Sequence, residues 1–364
     1  MLAHQILQCL VGAVRPLRVE ELAEVLAMDF TTGGTPKLNP EWRWADQREA
    51  VLSACSSLVS IVNDGESRIV QFSHFSVREF LTSIRTAESN RDISCYHIVL
   101  EPAHTIVAQA CLGVLLRLDE HIDGEIFNNL PLARYAAEHW VSHARFGNVS
   151  SLVEDGIDRL FDVEKPYFAM WRWVSQFKHT PTLKRTPTMN FNLPVEAPLC
   201  IAALLGLRDL VERLLIKHPE DLNSERSPWG SPLCAAAARG HAHVTSLLLE
   251  RGARTDSQTA LWPRFLPPMH QASQFGHVAI GKQLLDHGAD VDLRDEVGRT
   301  PLYMSAFCNT VEFARMLLEH GADVDAEDAV GRSPLSIAET CGSLDVARLL
   351  REHGRGGRST VEGI

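Results

Sequence analysis

Two residue patterns in this sequence could do chemistry, and each depends on the element that must hold it. Gly276-His277-Val278-Ala279-Ile280-Gly281-Lys282 fits the glycine-rich loop that wraps phosphates. Such a loop needs a strand before it and a Ser or Thr after the lysine to hold Mg²⁺. Here Gln283 follows, so the pattern predicts a turn and helix with no phosphate chemistry. His139 and His143 lie four apart on one helical face, the spacing of a metal pair. Trp140 stands where a zinc hydrolase would place its glutamate, and no third ligand is indicated, so no metal site is expected. No Gly-x-Ser-x-Gly elbow occurs, which removes a serine-hydrolase reading. The sequence predicts a protein that is not an enzyme and needs no cofactor of its own.

Composition narrows the classes further. Charged residues make 22% of 364, and the net charge is −11. Residues 197–364 carry 17 basic and 22 acidic groups, and the remainder carries 18 and 24. Neither half has the basic excess that a phosphate backbone requires, so nucleic acid is not expected as a partner. Arg48, flanked by Asp46 and Glu49, is nearly the only cation on the third helix, which argues against a DNA-reading helix. No apolar run is long enough to span a bilayer, and the apolar start lacks a basic n-region. Eight cysteines without a Cys-x-x-Cys pair point to reduced thiols and a cytoplasmic or nuclear location.

The elements behind these patterns are read best from the C-terminal half. Pro-Leu-x-x-Ala-like starts recur at Pro198, Pro232, Pro268, Pro301 and Pro334, at intervals of 34, 36, 33 and 33. Eight residues after each proline come Gly206, Gly240, Gly276, Asn309 and Gly342, the residue types that enter a left-handed turn at least cost. A second helix follows with Leu214, Leu248, Leu284, Leu317 and Leu350 in register and is expected to stop at Gly252, Gly288, Gly321 and Gly354. A 33-residue period of this form is that of ankyrin repeats. Each unit of loop and two helices must stack on its neighbours to bury its apolar face, giving an α-solenoid with a concave binding surface. Glu339 and Arg351 make the last repeat more polar, as in a capping repeat.

Residues 1–90 read as helix, helix, helix and hairpin, with Asp64-Gly65 at the hairpin tip. That is the order of a winged-helix domain. The hairpin runs into Ser73-His74-Phe75-Ser76-Val77-Arg78-Glu79-Phe80-Leu81, where Ser76 and Glu79 predict a capping box. Residues 91–177 read as a helical bridge, 178–196 as a proline-punctuated linker, 197–356 as five ankyrin repeats and 357–364 as a flexible tail.

The His-x-Ser-x-x-Glu-Phe-Leu run after a winged helix resembles the segment that follows the NTPase core in NACHT-type signalling ATPases of the STAND class. The fungal-type NACHT–ankyrin proteins are the nearest resemblance. Their winged helix also bears a name borrowed from GPI inositol-deacylases. Cys111-Leu112 and Arg134-Tyr135-Ala136-Ala137-Glu138-His139-Trp140 resemble the bridge of the same family more loosely. In that family a histidine at this motif reaches the β-phosphate of bound ADP, which implies the same for His74 only when an NTPase core is present. The start at Met1, on the first winged-helix helix, leaves open a split gene product, a truncated reading frame or a genuine short form.

The resemblance implies a protein–protein interaction and scaffold role, the regulatory or recognition arm of a NACHT-type protein. Its protein ligand would sit on the ankyrin concave face, and an NTPase core would dock in trans. The alternative is a nucleotide-sensing component that contributes His74 to a site completed by such a core. Positions flanking the repeat prolines nominate Gln274, Phe275, Arg299, Phe307 and Arg332 for partner contact. The finger between Gly252 and Pro268 is three residues longer than the next and adds Trp262 and Phe265, with Trp229 on the preceding finger.

Overall fold

A computed structural model of the protein describes residues 2–31, 34–42, 46–55, 57–65, 67–88, 94, 96–118, 130–176, 197–257 and 266–358. The chain divides into two compact units, residues 1–190 and 191–364. The fold is mainly helical, with a winged helix at its N-terminus and ankyrin repeats at its C-terminus.

In the first unit, α1 (Leu2–Gly12) and α2 (Val19–Leu26) bury Ile6, Leu10, Leu22 and Val25 on facing stripes. Strand β1 (Leu17–Arg18) lies between them in sequence. Strands β2 (Met28–Asp29) and β3 (Lys37–Leu38) pair before α3 (Gln47–Cys55). The expected hairpin forms from β4 (Val59–Asp64) and β5 (Ser67–Phe72), with Val59 opposite Phe72 and Asp64 opposite Ser67. Gly65 takes the positive φ of 61° at its tip. β1 joins the outer edge of β5 and completes a three-stranded antiparallel sheet, order β1-β5-β4. A two-residue strand has no periodicity, so it left no mark in the sequence pattern.

Helices α4 (Phe75–Thr82), α5 (Ile84–Ala87), α6 (Leu100–Leu115), α7 (Leu132–Ala144), α8 (Val149–Leu152), α9 (Glu154–Leu160) and α10 (Tyr167–Gln176) follow. α6 packs against α1 and α7, and α2 against α7, so that the winged helix and these helices share one core. Part of it is an aromatic cluster. Trp140 and Trp171 meet edge to face at 5.5 Å, with Phe161 against both rings. The region assigned to the linker, 178–196, lies outside the described residues.

In the second unit, five helix pairs repeat: α11 (Pro198–Leu204) with α12 (Arg208–Lys217), α13 (Pro232–Arg239) with α14 (Ala242–Glu250), and α15 (Pro268–Phe275) with α16 (Val278–Asp286). They continue as α17 (Pro301–Cys308) with α18 (Val311–Glu319) and α19 (Pro334–Cys341) with α20 (Leu344–Arg358). Proline opens every first helix at N1, where its missing N–H costs nothing. Ser231, Thr300 and Ser333 cap three of them by accepting the N–H three residues on. The inter-helix glycines are left-handed, and Asn309, at φ 56°, is the non-glycine member of the series with positive φ.

Two expectations are corrected. The helix after the hairpin is capped by His74, two residues earlier than the predicted Ser76–Glu79 box. His74 Nδ1 accepts from Ser76 N at 3.3 Å and lies 2.7 Å from Ser76 Oγ, so the serine becomes part of the first turn. The last helix does not stop at Gly354 but runs to Arg358. The earlier stops rest on the residue after the glycine: Ala253, Ala289 and Ala322 each donate their N–H five residues back, and Ala253 and Ala322 are buried. In the sequence Arg355 follows Gly354, where the earlier repeats have alanine.

Candidate functional site: the finger and inner-helix face of the repeats

The sequence-nominated partner residues fall into three groups. Phe275 and Phe307 end the inner helices α15 and α17, and each keeps 51% of its surface exposed. Both precede the left-handed turn residue, Gly276 or Asn309, by one or two positions. Phe275 stacks partly on His277, with centroids 6.0 Å apart, and Gln274 beside it is half-buried.

Arg299 and Arg332 belong to two copies of one device. Asp295-Glu296-Val297-Gly298-Arg299 and Asp328-Ala329-Val330-Gly331-Arg332 stand 33 residues apart. In the first, Asp295 Oδ1 accepts from Val297 N and Arg299 N, while Oδ2 takes Arg299 Nε at 2.7 Å. In the second, Asp328 does the same for Val330 N, Arg332 N and Arg332 Nε. Burial by itself raises the Asp328 carboxyl, but the bonds from Arg332 and Val330 outweigh it and hold the group down at about 2. Each arginine is therefore tied to its own finger and is not a loose cation awaiting a ligand. The Arg332 guanidinium carbon also lies 5.8 Å from the Tyr303 ring centroid.

The tied arginines and aspartates hold a turn that presents a valine at its tip, preceded by the exposed Glu296 in the first finger and by Ala329 in the second. Val297 is 50% exposed and Val330 79%. Ala329 N donates to Val297 O at 2.9 Å, so the two fingers are joined by a backbone bond. Neither valine was nominated from the sequence, although the Asp-x-Val-Gly-Arg pattern, present twice at the repeat period, could have drawn attention to them. Trp229, half-buried, has the Arg239 guanidinium 5.0 Å from its ring. Trp262 and Phe265 lie outside the described residues.

The remaining chemical patterns resolve into structure. Gly276 makes a repeat turn at φ 71° and Gly281 lies inside α16. A Cβ at Gly281 would stand 2.5 Å from the Met316 methyl and 2.7 Å from Phe313, so this glycine exists for helix packing. His287 and His320 each bond the carbonyl four residues back, Gln283 O at 2.9 Å and Met316 O at 2.7 Å. His143 is buried and bonded to Tyr135 and His104. Among the described residues no group of three or more His, Cys, Asp and Glu side chains could hold a metal ion. No described helix is long and apolar enough to cross a membrane. The described cysteines are free, and burial pushes Cys9 up to about 12 and Cys234 up to about 11. His74 sits on the other unit, exposed, with its ring 4.4 Å from that of Phe75.

Together these observations describe a winged helix followed by an ankyrin array. Family comparison agrees: residues 269–359 match ankyrin repeats in three copies, and residues 1–93 match the winged helix domain of GPI inositol-deacylase. Among individual proteins, azaphilone pigments biosynthesis cluster protein L of Monascus ruber is 30% identical over 270 residues, covering 68% of this chain and 55% of that protein. The ankyrin repeat domain-containing protein SAT10 of Stachybotrys chartarum is 35% identical over 112 residues, 31% of this chain and 5% of that protein. Ankyrin repeat protein nuc-2 of Neurospora crassa is 34% identical over 109 residues, 30% of this chain and 10% of that protein. The chain thus spans about half the length of the first relative and a tenth or less of the other two.

Proposed function

We propose that this chain is a non-enzymatic interaction protein that binds a partner protein on the concave face of its repeats. Phe275 and Phe307, two half-exposed aromatics at the ends of neighbouring inner helices, carry the reading. Exposed aromatics on a rigid scaffold supply large contact area at small entropic cost, which is why they dominate interface energetics. The fingertip valines Val297 and Val330 extend the apolar surface, and the buried Asp295 and Asp328 carboxylates are each neutralised by their own arginine, leaving Glu296 and Glu327 as the exposed charges beside the valines. Trp229, Gln274, Arg299 and Arg332 would form its rim, with Trp262 and Phe265 on the longer finger. We assign the whole as the regulatory and recognition arm of a NACHT-type signalling protein working in the cytoplasm or nucleus. The domain limits 1–90, 91–177, 178–196, 197–356 and 357–364 belong to this reading.

The test is affinity capture with the full chain and with Phe275→Ser/Phe307→Ser, whose circular dichroism must match the parent. The reading requires a protein held by the parent and lost by the variant. The same set of proteins on both, or none on either, would overturn it.

A second reading rests on His74, exposed at the start of α4 in the segment matched by the winged helix model. It makes the chain a nucleotide-sensing component of a STAND ATPase with a core in trans. ADP binding to the chain plus core, abolished in His74→Ala, favours it; unchanged binding in that variant removes it.

A further inference from the structure

We propose that Val14, Tyr135, His143 and His104 form one neutral hydrogen-bond relay that clamps the corner after α1 onto α6 and α7, and that acidification opens it.

The geometry leaves one proton order. Val14 N donates to the Tyr135 hydroxyl at 3.1 Å. That hydroxyl lies 2.9 Å from His143 Nε2, and His143 Nδ1 lies 3.0 Å from His104 Nδ1. Two ring nitrogens at 3.0 Å share a single proton, since two N–H groups pointed at each other would repel. If Tyr135 donates to His143 Nε2, then His143 carries its proton on Nδ1 and gives it to His104, whose proton is on Nε2. Each of the three links then has one hydrogen and one acceptor. The reverse order would make the Tyr135 oxygen accept twice and leave its own hydrogen without an acceptor among the described residues.

The relay sits where a charge is costly. His143 is fully buried, and His104 stacks on Phe146 with centroids 4.0 Å apart. The surrounding charges do not compensate. Arg15, from the corner itself, lies over the Tyr135 ring at 4.8 Å and is tied to Glu21 of α2. Arg78 of α4 raises the cost of a proton on His104, and His139 of α7 does so for His143. Glu138 of α7 and Cys111 of α6 act on the Arg15–Tyr135 end. Burial first, then the neighbouring imidazoles, hold His143 down at about 3, and burial then Arg78 lower His104 as well.

The direction of the pH effect follows. In the open form each imidazole takes up its proton near the ordinary 6.5, whereas the closed relay refuses it. The clamp is therefore at full strength above that value and weakens as pH falls from 6.5 toward about 3. The first added proton can enter only at His143 Nε2 or His104 Nδ1. Either breaks a link in the relay. The corner it releases carries Val14 and Arg15 and leads directly into β1, the strand that closes the winged-helix sheet.

Hydrogen exchange of the full chain, corrected for the intrinsic pH dependence of exchange, reads the opening of residues 12–18. One refused proton predicts that the opening constant rises about 100-fold over two pH units below 6.5. His104→Asn keeps an acceptor at the Nδ1 position but cannot titrate, so its rise is smaller than that of the parent. Should that variant not fold, nitrogen-15 chemical shifts of the parent's histidines decide. The relay requires a neutral His143 with its proton on Nδ1 at pH 5. An opening constant that does not change with pH, or a His143 charged at pH 6 or protonated on Nε2 alone, overturns the proposal.

Discussion

In the ankyrin array key stabilising contacts recur at the repeat period, whereas in the N-terminal unit the telling contacts occur once. Asp295 and Asp328 make the same three bonds to their own fingers. Ser231, Thr300 and Ser333 make the same cap. By contrast, Tyr135 reaches Val14 across 121 residues of sequence, and the buried Glu24 carboxylate accepts Leu132 N at 2.7 Å across 108. A repeat spreads its stability over many small, local terms. The N-terminal unit concentrates it in a few long-range ones, each of which must close a large loop before it contributes.

The largest expected effect belongs to the N-terminal core. Trp140→Ala removes a fully buried indole from its contacts with Trp171 and Phe161 and should cost about 3–5 kcal/mol. Denaturant unfolding followed by peptide-resolved exchange should show residues 1–190 losing protection while the array keeps its own. Simultaneous loss in both units would contradict this difference between them. Next comes Gly281→Ala, which forces a methyl against Met316 and Phe313. After the gain in helix propensity the net loss should be about 1–2 kcal/mol, read as a lower unfolding midpoint of the array.

The finger device should show in acid. Asp328 is held at about 2 against an ordinary 3.8, so its stabilisation is complete above 3.8 and lost as pH falls through about 2. Asp328→Asn should flatten this part of the array's acid unfolding curve, and an identical curve for parent and variant would remove the carboxylate from the account. Smallest is Asn309→Gly, expected to be nearly neutral in thermal unfolding. Asn309→Ala at the same left-handed turn should cost about 1 kcal/mol.

These differences explain what could be read from the sequence. The array's helices, proline starts, left-handed turns and even the substitution at Asn309 follow from a period that reports the same local rule five times. The winged-helix hairpin was legible from Asp64-Gly65 for a similar reason, since turn chemistry is local. β1 was not, because two residues carry no pattern and their strand exists only through β5. His143 shares a helical face with His139, where no metal site is expected; its actual partners, Tyr135 and His104, come from a different spacing and a different helix. Within the candidate site, Phe275 and Phe307 were identified by register. Arg299 and Arg332 are nominated by their place before the repeat prolines, and register alone does not report that the buried aspartates four residues earlier tie them down. The exposure of Val297 and Val330 depends on how the turn is tied down, which only the folded finger displays.

The central claim is that the array binds a protein through the Phe275–Phe307 face. Once capture has supplied a partner, titration calorimetry of that purified protein against the parent and Phe275→Ser/Phe307→Ser is the direct measurement. The account predicts that the double variant, with its fold intact, binds at least about tenfold more weakly, as hot-spot truncations of more than ~1.4 kcal/mol do. Equal affinity for parent and variant would contradict it.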